Sequence, residues 1–102
     1  MEIAGKKIQF DQDGFMKEPG LWDEEVARGI AREEGIDEMT SKHWAVVNFI
    51  RGYWQEHDLA PPVRMLCQES GVGVREVYKL FTAGPARGAC RVAGLPKPDG
   101  CV

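Results

Sequence analysis

The stretch from Thr40 to His57 constrains this chain most. Trp44, Val47, Phe49, Ile50 and Trp54 recur there at helical spacing and make one broad apolar face. Thr40 is a good N-cap for it. Ala60-Pro61-Pro62 ends it and opens the next helix, because proline is tolerated only in a first helical turn. A chain of 102 residues fits one domain. A helix with so wide an apolar face must stand at its centre, and the other segments must cover it.

Those segments are short. Leu21, Trp22, Val26 and Ile30 share a helical period, with Asp23, Glu24 and Glu25 at the positive end of the dipole and Gly35 as the stop. Val63, Leu66 and Cys67 share a face of a helix that Gly71 ends. Val74, Val77, Tyr78 and Phe81 mark another, and Gly84-Pro85 opens a last one that runs to about Ala93, with Gly94 as its stop. Strand-like pieces around Ile3 and around Lys7 to Phe10, with turns at Gly5 and at 11–14, predict a small hairpin. The closing LPKPDGCV cannot pack as a helix, since Pro96 and Pro98 favour extended backbone. The expected fold is mainly α (α+β). It has about five helices, a helix-turn-helix-like element, an N-terminal β-hairpin and a flexible C-terminal arm. Residues 1–94 form the domain and 95–102 the arm.

No apolar run approaches bilayer length, and the N-terminus lacks a signal-type stretch, so a cytoplasmic protein without membrane insertion is expected. In that compartment cysteines need a use other than stapling. Residues 1–58 carry 13 acids and 7 bases, and residues 59–102 carry 3 acids and 6 bases. The basic half suits an anion, an acidic surface or nucleic acid, although a solvated surface of uneven sign is the commoner case. No CxxC or HxxxH pairing is present, and His43 and His57 read as surface or packing residues. No metal or cofactor is expected.

Cys101 is penultimate, and an exposed thiol is a liability unless it is used. Cys90 lies eleven positions earlier, on the last helix. The segment between them spans roughly 35 Å when extended, at about 3.3 Å per residue. It can also fold back through Gly94 and Gly100, the expected hinges. Closing such a loop costs about 3 kcal/mol. The pattern suits an attacking thiol at Cys101 and a resolving thiol at Cys90. Arg87 and Arg91, four apart and flanking Cys90 on one helix face, are candidates to favour its thiolate or to bind an oxyanion; the plain alternative is a solvated basic face. Asp99 and the terminal carboxylate oppose thiolate formation at Cys101, so its reactivity is expected to rise inside a partner. Cys67 is assigned to the core.

Residues 63–80 also pack like a DNA-reading helix-turn-helix. The second helix offers only Arg75 and Lys79 as basic contacts, and the whole chain is acidic. A redox-sensing DNA-binding regulator, with the two cysteines as sensor, is the alternative function. A structural subunit anchored by its tail is the third.

The run GPARGACRVAGLPKPDGCV at 84–102 resembles the C-terminal signature of the DsrC/TusE family of sulfur-carrier proteins. APPVRML at 60–66, HW at 43–44 and GF at 14–15 extend the resemblance over nearly the whole chain. It implies a small helical fold with a hairpin and a mobile arm. Cys101 would enter the channel of dissimilatory sulfite reductase, or meet sulfurtransferases, and accept sulfur as a persulfide. Cys90 would join it as a trisulfide, Arg87, Arg91 and Lys97 would assist as cations, and a membrane-bound reductase complex would restore both thiols. The TusE branch lacks the upstream cysteine, so the pair here implies the two-cysteine DsrC type. The stretch between Leu66 and Tyr78 is shorter than the expected pattern, and Thr82 and Asp99 depart from it.

Overall fold

The structure, a computed structural model, describes residues 2–3 and 5–96. Strands β1 (Glu2–Ile3) and β2 (Lys6–Lys7) pair antiparallel, Glu2 opposite Lys7 and Ile3 opposite Lys6. The hairpin is tighter than its alternation predicts. The rest of the expected second strand runs on to a wider turn, in which Phe10 bridges to Met16. The Asp11 carboxylate holds that turn by accepting the N–H groups of Asp13 at 2.8 Å and Phe15 at 3.0 Å, the local bonding that suits Asp to turns. Ile3, Ile8, Phe15 and Met16 are buried beneath this N-terminal region.

Helix α1 (Glu24–Glu33) is capped by Asp23, whose carboxylate accepts the Val26 N–H at 2.9 Å. The same carboxylate pairs with Lys6 Nζ at 2.7 Å, which ties the helix start to β2. Leu21 and Trp22, expected inside the helix, precede it. Pro19–Leu21 make one 3₁₀ turn and Trp22 is extended. The cap decides this, because Asp23 takes the non-helical N-cap conformation and everything before it lies outside the helix.

Helix α2 (Ser41–His57) crosses the middle of the domain, with Val46, Val47 and Ile50 fully buried and Trp44, Phe49 and Trp54 half-buried on either side. Its cap is reciprocal. The Thr40 hydroxyl accepts the His43 N–H at 3.5 Å and lies 2.8 Å from His43 Nδ1, to which the Thr40 N–H donates at 3.0 Å. Nδ1 is therefore the acceptor, and Nε2–H donates to the Leu80 carbonyl at 3.2 Å. His43 is a buried packing residue, edge-on to Phe81.

Helices α3 (Val63–Ser70) and α4 (Val74–Leu80) pack against α2 and each other across a tight turn at Gly71–Gly73. This is the expected helix-turn-helix-like pair. Its core is narrower than the sequence suggests. Leu66, Val72, Val77 and Phe81 are buried, whereas Val63, Val74 and Tyr78 face outward. Helices of two turns lying on one neighbour bury one stripe, and the remaining apolar side chains stay at the surface. Cys67 is half-buried at the edge of the core.

Candidate thiol site

The last helical segment is composite. Pro85–Ala89 winds as a π-helical turn, in which the Cys90 N–H donates to the Pro85 carbonyl five residues back, and a short α-helical turn, α5 (Cys90–Val92), follows. The sequence predicts a single helix here. Cys90 is 5% exposed, among Ala89, Val92, Ala93 and Leu95 of the core.

The helix closes on its own cysteine. The Leu95 N–H donates to the Cys90 carbonyl at 3.2 Å, and the Gly94 N–H donates to the Arg91 carbonyl at 3.0 Å. These are the two bonds of a Schellman stop, with glycine at the left-handed position. Gly94 has φ +73°, and a Cβ there would lie 2.2 Å from Trp22 Cδ1, so both backbone angle and space require glycine. The expected hinge at Gly94 thus sits inside a packed stop. Leu95, expected to open the arm, is a core residue. Lys97, Gly100 and Cys101 lie outside the described residues.

The two arginines flanking Cys90 part company. Arg87 is exposed on the π turn. A π-helical bond spans five residues, not four, so the α-helical spacing that placed Arg87 over Cys90 does not hold. Arg91 is committed elsewhere. Its Nη1 pairs with Glu34 Oε2 at 2.6 Å, its Nε donates to the Gly14 carbonyl, and its guanidinium stands 6.0 Å from the Phe10 ring. Arg91 therefore ties the cysteine-bearing helix to the N-terminal turn and to the end of α1.

Two residues missed by the sequence reading hold the carbonyl end of α5. Trp22 Nε1–H donates to the Val92 carbonyl at 2.8 Å. Arg51 Nη1 donates to the Ala93 carbonyl at 2.9 Å and the Gly94 carbonyl at 3.5 Å, while Nη2 donates to the Pro19 carbonyl at 2.8 Å. The guanidinium lies 4.3 Å from the Trp22 ring centroid and 5.6 Å from that of Trp54. Burial lowers the Arg51 pKa, yet arginine stays charged at any neutral pH. A lone cation on the apolar side of α2, between Ile50 and Trp54, was the signal in the sequence.

In the 63–80 segment Arg75 and Lys79 are exposed, but so are their neighbours Val74 and Tyr78, and Lys42 pairs with Glu76 at 2.8 Å. The DNA-binding alternative gains no support from this surface. Among the described residues no helix is long and apolar enough to cross a membrane.

Fold and site together define a small α-rich domain with a buried cysteine on its last helix and a second cysteine eleven residues further on. The family model for DsrC like protein matches residues 2–102, and the chain belongs to the DsrC family. The gamma subunit of dissimilatory-type sulfite reductase from Nitratidesulfovibrio vulgaris is 40% identical over 98 residues, covering 96% of this chain and 93% of that protein. The sulfurtransferase TusE of Salmonella paratyphi A is 41% identical over 107 residues, covering 98% and 97%. The crystal structure of the oxidized gamma subunit of dissimilatory sulfite reductase (DsrC) from Archaeoglobus fulgidus superposes with a TM-score of 0.88 at 43% identity, covering 99% of this chain and 97% of that one. The TusE alignment exceeds this chain's 102 residues and so must open gaps in it. The alignment to the gamma subunit uses no more positions than the residues it covers.

Proposed function

We propose that this protein is a sulfur carrier of the two-cysteine type, a protein co-substrate for dissimilatory sulfite reductase or for sulfurtransferases. The observation that carries the reading is the pairing of Cys90, fixed on the last helix and hydrogen-bonded through its carbonyl to Leu95, with Cys101 a short tether beyond. Family membership and the alignment to the gamma subunit support it.

Cys101 thiolate attacks the outer sulfur of a donor persulfide. The donor leaves as a thiolate and Cys101 becomes the persulfide. On the reductive route the sulfur comes instead from sulfite already reduced to the S(II) level on the reductase, and joining Cys101 and Cys90 to it as a trisulfide takes two electrons and two protons from the two thiols. The sulfur substrate under reduction accepts them. A membrane-bound thiol reductase complex would then return both thiols and release sulfide. A reducing cytoplasm, where thiols persist, suits the cycle. Arg87, exposed on the π turn, would meet an oxyanion or an acidic partner, and Lys97 is a second candidate cation by sequence. Gly100 would let the tip turn.

Intact mass after incubation with a persulfide donor, or with sulfite and sulfite reductase, tests the reading on wild type, Cys90→Ala and Cys101→Ala. A sulfur gain is expected that needs Cys101 and becomes a linked form only with Cys90. Loading that survives Cys101→Ala would refute it.

A further inference from the structure

Helix α4 buries only Val77 in full. On its outward side Val74 and Tyr78, four apart and hence on one line, are 48% and 53% exposed. Arg75 and Lys79 are exposed on the next line, so two apolar side chains lie beside two cations. A Cβ at Gly84 would come 3.2 Å from Tyr78 Cε1, so the tyrosine ring rests over that glycine. Gly84 precedes the π turn that carries exposed Arg87 and leads into Cys90, and the strip therefore adjoins the cysteine-bearing segment. Its charge is unanswered within the fold. Residues 59–96 hold five bases and two acids. Of these, Arg91 is paired with Glu34 and Glu76 with Lys42. Arg75 and Lys79 make no ion pair among the described residues.

We propose that this face of α4 docks an acidic protein face with an apolar centre, on the sulfite reductase that hands sulfur to this chain. The proposal rests on the sulfur-carrier reading. Tyrosine and arginine are the side chains on which interfaces most often turn. Cations around them select an acidic partner and speed its approach. Other occupants fit less well. A nucleic-acid duplex needs many phosphate contacts, and half of this strip is apolar. A second copy related by a two-fold axis would set Arg75 and Lys79 against their own counterparts. A helix of seven residues is about 10 Å long. One face of it falls well short of the roughly 800 Å² that each side of a standard stable interface buries. Docking here is therefore weak and sensitive to salt, which lets a carrier leave once it is loaded.

The test compares two routes of sulfur gain, each read as intact mass. One uses glutathione persulfide, whose outer sulfur passes to a carrier thiolate as glutathione leaves as its own thiolate. The other uses sulfite reductase with sulfite and its electron donor, with initial rates taken against carrier concentration. The variants are Tyr78→Ala and the pair Arg75→Glu with Lys79→Glu. Lys7→Glu with Lys17→Glu makes the same change of charge on exposed side chains of the N-terminal region. Circular dichroism and the urea midpoint check that each variant is folded. Through the reductase, reversing the α4 charges should lower kcat/KM about tenfold with kcat little changed. Tyr78→Ala should lower it several-fold, and added salt should narrow the gap between wild type and the charge-reversed pair. The Lys7 and Lys17 variant, and every rate with glutathione persulfide, should stay at wild-type values. Unchanged kcat/KM in the α4 variants, or an equal loss in the Lys7 and Lys17 variant, would overturn the proposal. A wild-type dimer in sedimentation, or binding to duplex DNA at low salt, that the α4 variants abolish would assign the face to another occupant and overturn it too. Wild type that gains sulfur from glutathione persulfide but none through the reductase would overturn the docking alone. No sulfur gain by wild type on either route would instead sink the carrier reading beneath it, before any variant is compared.

Discussion

Replacing Arg91 with methionine should destabilise the domain by about 3 kcal/mol without touching sulfur loading. The pair it breaks is mostly buried, with side-chain exposures of 19% for Arg91 and 15% for Glu34. Removing one partner of a buried ion pair typically costs about 3–5 kcal/mol, because the remaining charge is left uncompensated. Partial exposure places this pair at the lower end. Glu34 is poorly placed to adapt. Its Oε2 depends on Arg91, and its Oε1 is buried with no hydrogen-bond partner among the described residues. The Gly14 carbonyl also loses its donor, worth about 1 kcal/mol. Urea unfolding of wild type, Arg91→Met, Glu34→Met and the double variant closes a thermodynamic cycle. The double variant buries no lone charge and should be more stable than Arg91→Met, with a coupling of about 2 kcal/mol. If Arg91→Met costs less than about 1 kcal/mol, or the two single effects add, the pair is not the tie between α5 and α1 that its geometry indicates. If the variant instead stays stable and loses sulfur loading, Arg91 serves the thiol directly and the structural assignment fails.

The Asp23 carboxyl is held below the usual carboxylate range, first by its bond with Lys6 and then by the Val26 N–H it caps. A depressed folded pKa gives stability that is present above the unfolded value and lost as pH falls through the folded one. The urea midpoint should therefore drop below about pH 4, and Asp23→Asn should flatten that acid limb; an unchanged profile would refute the link. Gly52 and Gly29 both lie inside helices but should respond oppositely to alanine. A Cβ at Gly52 meets nothing within 4 Å, so Gly52→Ala should stabilise by about 1 kcal/mol. One at Gly29 would fall 2.4 Å from Ile3 Cγ2, so Gly29→Ala should destabilise by about 1–3 kcal/mol as the hairpin is pushed off α1. Thermal unfolding of the two variants decides both signs.

The helices were legible in the sequence wherever one local rule sufficed. Thr40 and Gly35 punctuate as expected, and the period finds Val47 and Ile50 of the buried stripe of α2 but not Val46 and His43, which complete it. Legibility failed where two local rules competed. Leu21 and Trp22 fit the period of α1, but the Asp23 cap overrode periodicity and left them outside. Val74 and Tyr78 fit the period of α4, but a seven-residue helix has room for only one covered face, and Val77 took it. The π turn at 85–89 carries no period of its own. Gly-Pro marks a helix start, and nothing local distinguishes a bond to the fourth residue from one to the fifth.

The candidate site divides along the same line. Cysteine identity and spacing are properties of the chain, and the glycine stop after Cys90 follows from Gly94 and Leu95 together, so these could be read directly. What surrounds Cys90 depends on residues far away in sequence. Neighbourhood on a helix suggested that Arg91 would serve the thiol, but a long side chain goes to the strongest acceptors it can reach. For Arg91 those are Glu34 and the Gly14 carbonyl, 57 and 77 positions away. Arg51, from 42 positions before Ala93, holds the carbonyl end of the same helix. Arg91 and Arg51 both anchor the helix that carries Cys90. Anchoring the helix fixes where Cys90 stands, and those anchors lie far away in sequence, beyond the reach of any local reading of the cysteines.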